Sequence, residues 1–214
     1  MAHARWLLVV VAALALAGCG TRHTSPPPRP PQGCAVVTKP TAAPRTAPKP
    51  TKPLDPSKTY DVRFETNCGV FVVRLAVKTS PKTTASFVSL AQRKFFDDTI
   101  FHRIVPGFVI QGGDPTATGT GGPGYTVVDK PPASTKYTHG VVAMAKTQQE
   151  PAGTSGSQFF VVTASNAHLP PDYAVLGHVV SGLRIVDRIG RLGDINTQRP
   201  TKIVVIQHAI VRES

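Results

Sequence analysis

The sequence predicts a mainly β domain with two helices, closed or nearly closed on itself and preceded by a proline-rich segment. Two observations lead to this prediction. Short apolar segments recur from residue 60 to residue 211 between Gly, Pro and Asn turn signals, and only two segments have helical spacing. Many short strands with few helices favour a barrel-like architecture. Before residue 60, 11 of the 21 prolines lie between Pro26 and Pro56.

The first predicted elements are a hairpin and a helix. Residues 60–65 alternate apolar and polar side chains, and an apolar run follows at 70–75 beyond a turn at 67–69. Ser80 followed by Pro81 is typical of a helix start, with Ser80 as the N-cap and Pro81 in the first turn. The helix is expected to end near residue 94, and its apolar positions at helical spacing are Ala85, Val88, Ala91 and Phe95.

The second half of the chain is predicted to contain further strands and one more helix. The strands are expected at 140–145, 158–163, 174–180 and 203–211. The helix is expected at 182–189, with its inward-facing residues at Leu183, Ile185, Val186 and Ile189. Residues 118–124 contain a Gly-x-Gly-x-x-Gly pattern, but it opens no helix, which argues against a dinucleotide site.

Residues 101–114 form the most unusual stretch of the chain. They are predicted to be two strands joined at Pro106-Gly107. Proline presets φ for the first central position of a turn, and glycine supplies the positive φ of the second. The stretch is therefore expected to form a tight hairpin.

Two polar side chains in this hairpin indicate a binding site. Alternation places Arg103 on the same face as Phe101 and Val105, and a buried guanidinium is costly unless its donors are bonded. Arg103 can also be interpreted as an edge-strand residue that reaches water. Gln111 follows on the second strand beside glycines, which allow another backbone to approach closely. Together the two residues predict a site for a carbonyl-bearing, partly apolar ligand.

Three sequence blocks carry a family resemblance. They are FHRIVPGFVIQGGD at 101–114, GSQFFVVT at 156–163 and YAVLG at 173–177. In this order they closely resemble the signature and the later strands of the cyclophilin-type peptidyl-prolyl isomerases, over residues 60–214. The resemblance implies an eight-stranded antiparallel closed β-barrel capped by two α-helices. It also implies a packed barrel interior, with the substrate bound on the outer wall.

The resemblance further implies a peptidyl-prolyl cis-trans isomerase that needs no cofactor and no metal. Rotation about an X-Pro amide has a barrier of roughly 20 kcal/mol because the nitrogen lone pair is delocalised. The resemblance assigns to Arg103 the stabilisation of the twisted amide, and to Gln111 the orientation of the substrate carbonyl and the support of Arg103. The residues it implies for the substrate groove are Phe108, Val109, Ala145, Lys146, Gln158, Phe160, His168, Leu169 and Tyr173.

Several groove positions depart from the family pattern. His168 stands where well-known eukaryotic members carry Trp, and Val109 stands where Met is common. Imidazole supplies neither the flat apolar rim nor the indole donor, so weak binding of the drug cyclosporin is expected. Tyr173 stands where the family often has His. Lys146 stands where Asn is common, and its backbone is expected to pair with the peptide.

Other interpretations remain open at the level of the sequence. Taken singly, Phe108 and Phe160 fit ordinary core packing, and Gln158 fits a supporting amide. The same groove also suits a proline-peptide docking or holdase module whose isomerase activity is incidental. A structural surface protein would explain the proline-rich segment. The presence of both Arg103 and Gln111 favours the enzyme.

The N-terminal residues resemble an export leader. Arg5 precedes an apolar run at 7–17 that is too short to span a bilayer. LAGC at 16–19 resembles the lipobox of bacterial lipoproteins, which implies cleavage before Cys19 and acylation of that cysteine. An ordinary secretory signal with a chance cysteine is the alternative. The expected location is therefore extracytoplasmic, with the protein lipid-anchored to the outer face of the cell membrane.

The predicted organisation has three parts. Residues 1–18 are a signal peptide, residues 19–58 a lipidated, disordered linker, and residues 59–214 the isomerase domain. The linker is expected to be disordered because its Pro, Thr, Ala and Lys/Arg composition buries too little apolar surface to offset its ordering entropy. The expected partners are proline-containing polypeptides and the membrane, and the protein is expected to be a monomer.

Two cysteines remain once Cys19 is acylated. Cys34 and Cys68 form an even pair, and in an oxidising compartment they predict a disulfide between the linker and the turn at 67–69. Two unpaired thiols are the alternative. The Cys and His spacings fit no metal site.

The formal net charge of +12 is spread along the chain. Residues 20–60 carry seven Lys/Arg against a single acidic residue, and the rest of the excess is scattered over the domain. Without a concentrated basic stripe or interleaved aromatic residues, nucleic acid is not an expected partner. Attraction of the linker to anionic lipid or wall polymer, or solubility alone, would account for the charge.

Overall fold

The structure, a computed structural model, describes Met1 and residues 33–214. Its strands are β1 (Tyr60–Thr66), β2 (Gly69–Leu75), β3 (Thr99–Ile100), β4 (Arg103–Val105), β5 (Val109–Gly112), β6 (Val127–Val128), β7 (Val141–Met144), β8 (Thr154–Ser155), β9 (Phe159–Val162), β10 (Val175–Ser181) and β11 (Val205–Glu213). Its helices are α1 (Pro81–Gln92) and α2 (Leu183–Gly190). The expected mainly β fold with two helices is confirmed, and the bounds of the predicted elements differ by a few residues. The short strands β3, β6 and β8 were not predicted, and the main sheet has nine strands instead of the expected eight.

Antiparallel pairing joins nine of the strands into one curled sheet. Their order is β3-β11-β1-β2-β10-β7-β9-β5-β4, and β6 pairs with β8 as a separate two-stranded sheet. The edge strands β3 and β4 are consecutive in the chain and separated only by residues 101–102. The segment before β11 bridges this junction, because Val204 O accepts from Phe101 N at 3.0 Å and Gln198 O accepts from Ile104 N at 2.9 Å. The two edges of the sheet therefore lie next to each other.

Aromatic rings fill the inner side of the sheet. Phe64 stacks on Phe71 with centroids 4.8 Å apart and contacts Phe159 at 5.3 Å. Phe87 of α1 stacks on Phe96 at 4.5 Å. All five rings are fully buried, and each contributes roughly 2–3 kcal/mol of hydrophobic stabilisation. The interior is thus a packed core, so a ligand is expected on the outer surface.

The start of α1 is capped by a residue that the sequence did not indicate. Pro81 lies in the first turn as predicted, but Ser80 makes no side-chain cap hydrogen bond. Oδ2 of Asp129 accepts instead from the backbone N of Thr83 at 2.6 Å. A carboxylate at this position satisfies a free N–H group and faces the positive end of the helix dipole.

The register at Arg103 corrects the predicted alternation. Strand β4 begins at Arg103, so Phe101 lies before the strand and does not share its face. Phe101 and Ile104 both belong to the main core, whereas Arg103 and Val105 are half-buried. Side chains alternate between the two faces of a sheet only along continuous extended backbone. Because the chain turns between β3 and β4, this alternation does not hold from Phe101 to Arg103. The predicted turn is present, since Gly107 has φ of +70°.

Residues 34–59, here called the strap, are not the disordered spacer that was expected. They extend along the outside of the domain, and Sγ of Cys34 lies 2.00 Å from Sγ of Cys68. At the other end, Thr59 and Ser214 exchange two backbone hydrogen bonds of 2.8 and 3.0 Å. The prediction of disorder was based only on the small apolar surface that this composition can bury, and it left out hydrogen bonds. Backbone hydrogen bonds hold the strap, and its prolines reduce the entropy lost on ordering.

The proposed leader and Cys19 lie outside the described residues. Within residues 33–214, neither helix is long and apolar enough to cross a membrane.

Candidate active site

One row of cross-strand neighbours builds the site on the outer face of the sheet. Arg103 on β4 is paired with Gln111 on β5, and Gln111 is paired with Phe160 on β9. Phe160 is in turn paired with Ala143 on β7. Residues directly opposite each other on antiparallel strands point to the same side of the sheet. Ile110, which precedes Gln111, belongs to the main core, so the row faces outward.

Two side-chain amides hold the guanidinium of Arg103. Its Nε donates to Oε1 of Gln198 at 2.7 Å, and its Nη1 donates to Oε1 of Gln111 at 3.3 Å. Guanidinium has five N–H donors, and its remaining donors make no hydrogen bond within the described chain. Burial lowers the pKa of Arg103 and the nearby Tyr173 opposes that shift, but arginine remains a cation at neutral pH. The site therefore presents an oriented positive charge with free donors.

Gln198 is a site residue that sequence reasoning missed. It lies in the loop between α2 and β11, 95 residues from Arg103. Its backbone N donates to Asp194 O at 2.8 Å, its carbonyl accepts from Ile104, and its φ is +57°. A single glutamine in a polar loop produces no periodicity and no motif, so only the tertiary structure places it beside Arg103.

A chain of amides continues from Arg103 to the neighbouring loop. Nε2 of Gln111 donates to Oε1 of Gln158 at 3.0 Å, and Nε2 of Gln158 donates to the carbonyl of Gly121 at 3.0 Å. Both amides are thus bonded at both ends, which fixes their orientation. Gln111 and Gln158 lie where the resemblance implied, and the link to Gly121 is new.

A small apolar cluster, distinct from the main core, adjoins this row. Its buried members are Val109, Tyr137, Val141, Ala143, Phe160 and Val162, and its partly exposed members include Phe108, Ala145, Leu169 and Tyr173. The ring of Tyr173 meets Phe160 edge-on, with centroids 5.5 Å apart at 84°. A buried floor with a partly exposed apolar rim can accept a small apolar ring.

Tyr137 fixes the position of Tyr173. Its hydroxyl donates to Tyr173 O at 2.6 Å and accepts from Tyr173 N at 3.0 Å. Burial raises the pKa of Tyr137 to about 12, so the hydroxyl keeps its proton at neutral pH. The sequence did not single out Tyr137, because one tyrosine in a loop has no pattern that reveals its partner.

Lys146 and His168 lie at the margin of the apolar cluster. Nζ of Lys146 donates to the carbonyls of Thr147 and Glu150 at 3.1 Å each, and it lies 5.5 Å from the centroid of the Tyr173 ring. His168 is exposed, with φ of +51°. The weak cyclosporin binding expected from His168 stays a prediction.

A groove of about 620 Å³ continues from the row on the side of Gln111 and Gln158. One wall is the backbone of residues 119–126, and the opposite wall includes Lys146 and Glu150. Since Gln111 belongs to both the row and the groove, and Gln158 is bonded to it, a peptide whose proline lies in the apolar cluster can extend into the groove.

His102 lies beside the row with its ring buried. Neither ring nitrogen has a hydrogen-bond partner in the described part of the chain. Burial lowers the pKa of His102; Asp114 opposes this shift and Arg103 adds to it. The imidazole is therefore neutral at neutral pH.

Comparisons with known proteins identify the family of this chain. The family described as cyclophilin type peptidyl-prolyl cis-trans isomerase/CLD matches residues 61–211. Peptidyl-prolyl cis-trans isomerase-like 1 of Emericella nidulans is 40% identical over 158 residues, which is 72% of this chain and 96% of that protein. The protein of the same name from mouse is 38% identical over 161 residues, 73% of this chain and 95% of its own length.

Two solved structures of the same family are also similar to this chain. A cyclophilin type peptidyl-prolyl cis-trans isomerase of Cryptosporidium parvum is 30% identical, with a TM-score of 0.67 over 72% of this chain and 98% of its own. A second structure of it, determined in the presence of the dipeptide Ala-Pro, has a TM-score of 0.66 at 31% identity, over 71% of this chain and 98% of that one. The curled, mainly antiparallel sheet with two helices is the cyclophilin fold that these structures share. The chain belongs to the cyclophilin-type peptidyl-prolyl cis-trans isomerase family and is an enzyme of that family.

The same comparisons overturn the expected location. The lipid-anchored position on the outer face of a bacterial membrane is wrong, because these relatives are fungal and mouse proteins and none is described as a lipoprotein. The match covers nearly the whole of each relative but less than three quarters of this chain. The inference from the lipobox-like residues therefore has no support among them.

Proposed function

We propose that this isomerase acts on proline-containing polypeptides as a folding enzyme and that Arg103 stabilises the twisted X-Pro amide. When the amide twists, its nitrogen loses conjugation and becomes a pyramidal hydrogen-bond acceptor. A fixed cationic donor bonds this nitrogen only in the twisted state. Catalysis requires this kind of difference between the transition state and the ground state.

The observation that carries the proposal is the way in which Arg103 is held. Gln198 and Gln111 take two of its N–H groups, so the guanidinium is oriented before substrate binds, and its other donors have no partner among residues 33–214. Preorganised donors of this kind typically contribute about 10²–10³ in rate, because no reorganisation is needed during the reaction.

The apolar cluster is the proposed seat of the proline ring. Phe160 forms its floor, with Phe108, Val109, Leu169 and Tyr173 around the ring. The Ala-Pro dipeptide used with the Cryptosporidium protein supports a proline ligand. One side of the X-Pro bond is thereby held while the other side rotates.

The remaining groups would position the peptide on either side of proline. Gln111 would orient the substrate carbonyl while it supports Arg103, and Gln158 would fix Gln111. The backbone at Ala145 and Lys146 would pair with the peptide. His168 would form the exposed rim of the proline site.

The test is exchange spectroscopy on an X-Pro peptide with the wild type and Arg103→Ala. We expect Arg103→Ala to lower the exchange rate by about 10²–10³, while the dissociation constant of the peptide changes far less. Arg63→Ala is the matched control, because Arg63 is also a half-buried strand arginine with a side-chain partner, Glu65, but lies on β1. Full activity of Arg103→Ala would contradict the mechanism. A wild type that binds without catalysis would indicate a docking module.

A further inference from the structure

The strap contacts the back of the loop that forms one wall of the peptide groove. This loop, residues 114–126, is here called the wall loop. Backbone N of Ala43 donates to Pro115 O at 3.1 Å, and backbone N of Ala47 donates to Pro123 O at 3.0 Å. Nζ of Lys49 donates to Thr126 O at 2.9 Å. The strap therefore bonds the wall loop at its beginning, near its middle and at its end.

A repeat of four residues in the strap produces these contacts. Ala43-Pro44-Arg45 is followed by Ala47-Pro48-Lys49. Each alanine precedes a proline, which restricts the alanine to extended backbone and directs its N–H outward from the strap. Each basic side chain donates to backbone carbonyls, since Nη1 of Arg45 bonds Phe95 O at 2.6 Å and Asp97 O at 2.7 Å.

The wall loop also has support that does not come from the strap. The buried carboxylate of Asp114 accepts from the backbone N of Thr116, Gly119 and Gly121 at 2.6–3.2 Å. The hydroxyl of Tyr125 lies 3.0 Å from Oγ of Ser86 on α1. The Asp114 contacts fix residues 114–121, and the Tyr125 contact fixes the far end of the loop. The strap adds the bond to Pro123, between Gly121 and Tyr125.

The position of the wall loop matters for the site in two ways. Residues 119–126 line the groove that adjoins Gln111 and Gln158. The carbonyl of Gly121 also accepts from Gln158, which is bonded to Gln111 and through it to Arg103. A shift of the loop would alter the groove directly and would reach the guanidinium only through two intervening amides.

We propose that the strap is a positioning element of the substrate groove, and that Ala47 and Lys49 set the affinity for peptides that extend beyond the proline pocket. This inference rests on the proposed function, because it assigns the groove to the same peptide. No residue of the strap belongs to the apolar cluster, and the hydrogen-bond partners of Arg103 lie outside the strap. Its removal therefore acts on peptide binding more than on the rotation itself.

The test compares variants made in the full-length chain. Ala47→Pro removes the N–H that bonds Pro123 but keeps the strap extended, and Lys49→Ala removes the donor to Thr126. Ala42→Pro and Lys52→Ala are matched controls. Both residues lie in the strap with exposed side chains, and neither makes a hydrogen bond or ion pair in the described chain. Lys49→Arg is the conservative variant that should restore the bond.

The measured quantities are kcat and KM for an X-Pro peptide with several residues on each side, and the affinity for the dipeptide Ala-Pro. We expect Ala47→Pro and Lys49→Ala to raise KM of the long peptide about three- to tenfold, as loss of one hydrogen bond predicts, with kcat changed less than about twofold. Affinity for Ala-Pro should stay at the wild-type value. Lys49→Arg and both controls should behave as the wild type.

Separate outcomes identify which proposal fails. A wild type without activity would contradict the proposed function itself. If the wild type is active and KM of Ala47→Pro equals that of Ala42→Pro, the positioning role is wrong. An equal loss of affinity for Ala-Pro would also overturn it, because that result indicates general destabilisation. If Ala47→Pro does not fold, Lys49→Ala with the Lys49→Arg comparison decides.

Discussion

At the scale of single residues, the orientation of the Arg103 guanidinium depends on two neutral side-chain amides. Oε1 of Gln198 lies 2.7 Å from Nε of Arg103, closer than Oε1 of Gln111 at 3.3 Å. Neutral acceptors orient the guanidinium without cancelling its charge, whereas a carboxylate would form an ion pair and weaken its field at the substrate. In the proposed mechanism, the neutrality of these two partners therefore matters.

We predict that Gln198→Leu lowers kcat for an X-Pro peptide about tenfold, because the guanidinium loses its shorter hydrogen bond and part of its orientation. KM should change less, since the apolar cluster is intact. Gln198→Glu should also lower kcat, because the carboxylate would form an ion pair with Arg103 and weaken its field at the substrate, although the guanidinium stays oriented. Gln92→Leu, at an exposed position on α1, is the control. Wild-type kcat in Gln198→Leu would show that Gln111 alone orients Arg103.

His102 predicts a pH dependence of stability. Burial lowers its pKa from the ordinary 6.5, so the unfolded chain binds a proton at a higher pH than the folded protein does. The contribution of His102 to stability is full above pH 6.5 and is lost as the pH falls from there toward the folded-state pKa. His208, whose pKa is raised by its hydrogen bond to Asp97, contributes the opposite slope.

The measurement is the difference in free energy of unfolding between the wild type and His102→Leu across this pH range. The wild type should lose stability relative to His102→Leu as the pH is lowered, because the variant has no imidazole to protonate. Parallel curves for the two proteins would contradict the prediction.

At the scale of elements, a helix cap comes from a distant part of the chain. Asp129 follows β6 and accepts from Thr83 in the first turn of α1, so the carboxylate links the helix to the small sheet of β6 and β8. Oγ1 of Thr83 also lies 3.2 Å from Oγ of Ser155 on β8. Side chains from two other elements thus determine where α1 begins.

We predict that Asp129→Ala lowers the free energy of unfolding by about 1 kcal/mol, the usual cost of losing a cap. Ser80→Ala, at the position the sequence suggested, should cost less because Ser80 makes no side-chain cap bond. Urea unfolding of both variants measures the difference. A larger loss for Ser80→Ala would restore the sequence-based assignment of the cap.

At the scale of the whole molecule, the strap is attached to the domain at both of its own ends. It begins at the β1–β2 turn through Cys34 and Cys68 and ends where Thr59 pairs with Ser214. Cys34, Ala47 and Leu54 also pack against the main core. The strap is therefore part of the folded unit, and the stability of the domain includes it.

We predict that replacing Cys34 and Cys68 together by serine lowers the free energy of unfolding by about 2–4 kcal/mol, since the cross-link closes a loop of 34 residues. Urea unfolding measures the loss. A dithiol reductant should produce a similar loss in the wild type and none in the double variant. Equal stability of wild type and variant would show that hydrogen bonds and packing hold the strap without the disulfide.

The sequence was sufficient for the features that depend on local pattern. Alternation and turn residues predicted the β1–β2 hairpin, the Pro106-Gly107 turn and both helices to within a few residues, because backbone preferences are decided over short stretches. The motif around Arg103 also indicated the class of site, since the polar residues of β4 and β5 are close in sequence.

The tertiary structure alone decided which distant groups meet. Gln198 beside Arg103, Asp129 at α1 and the strap along the wall loop are contacts between residues far apart in the chain, and single polar residues in loops carry no periodic signal. The strap was predicted to be disordered because the prediction considered only how much apolar surface it could bury. Its hydrogen bonds go to carbonyls that are brought within reach only in the folded domain. Local sequence therefore determined the elements, whereas long-range packing determined how the guanidinium of Arg103 is held.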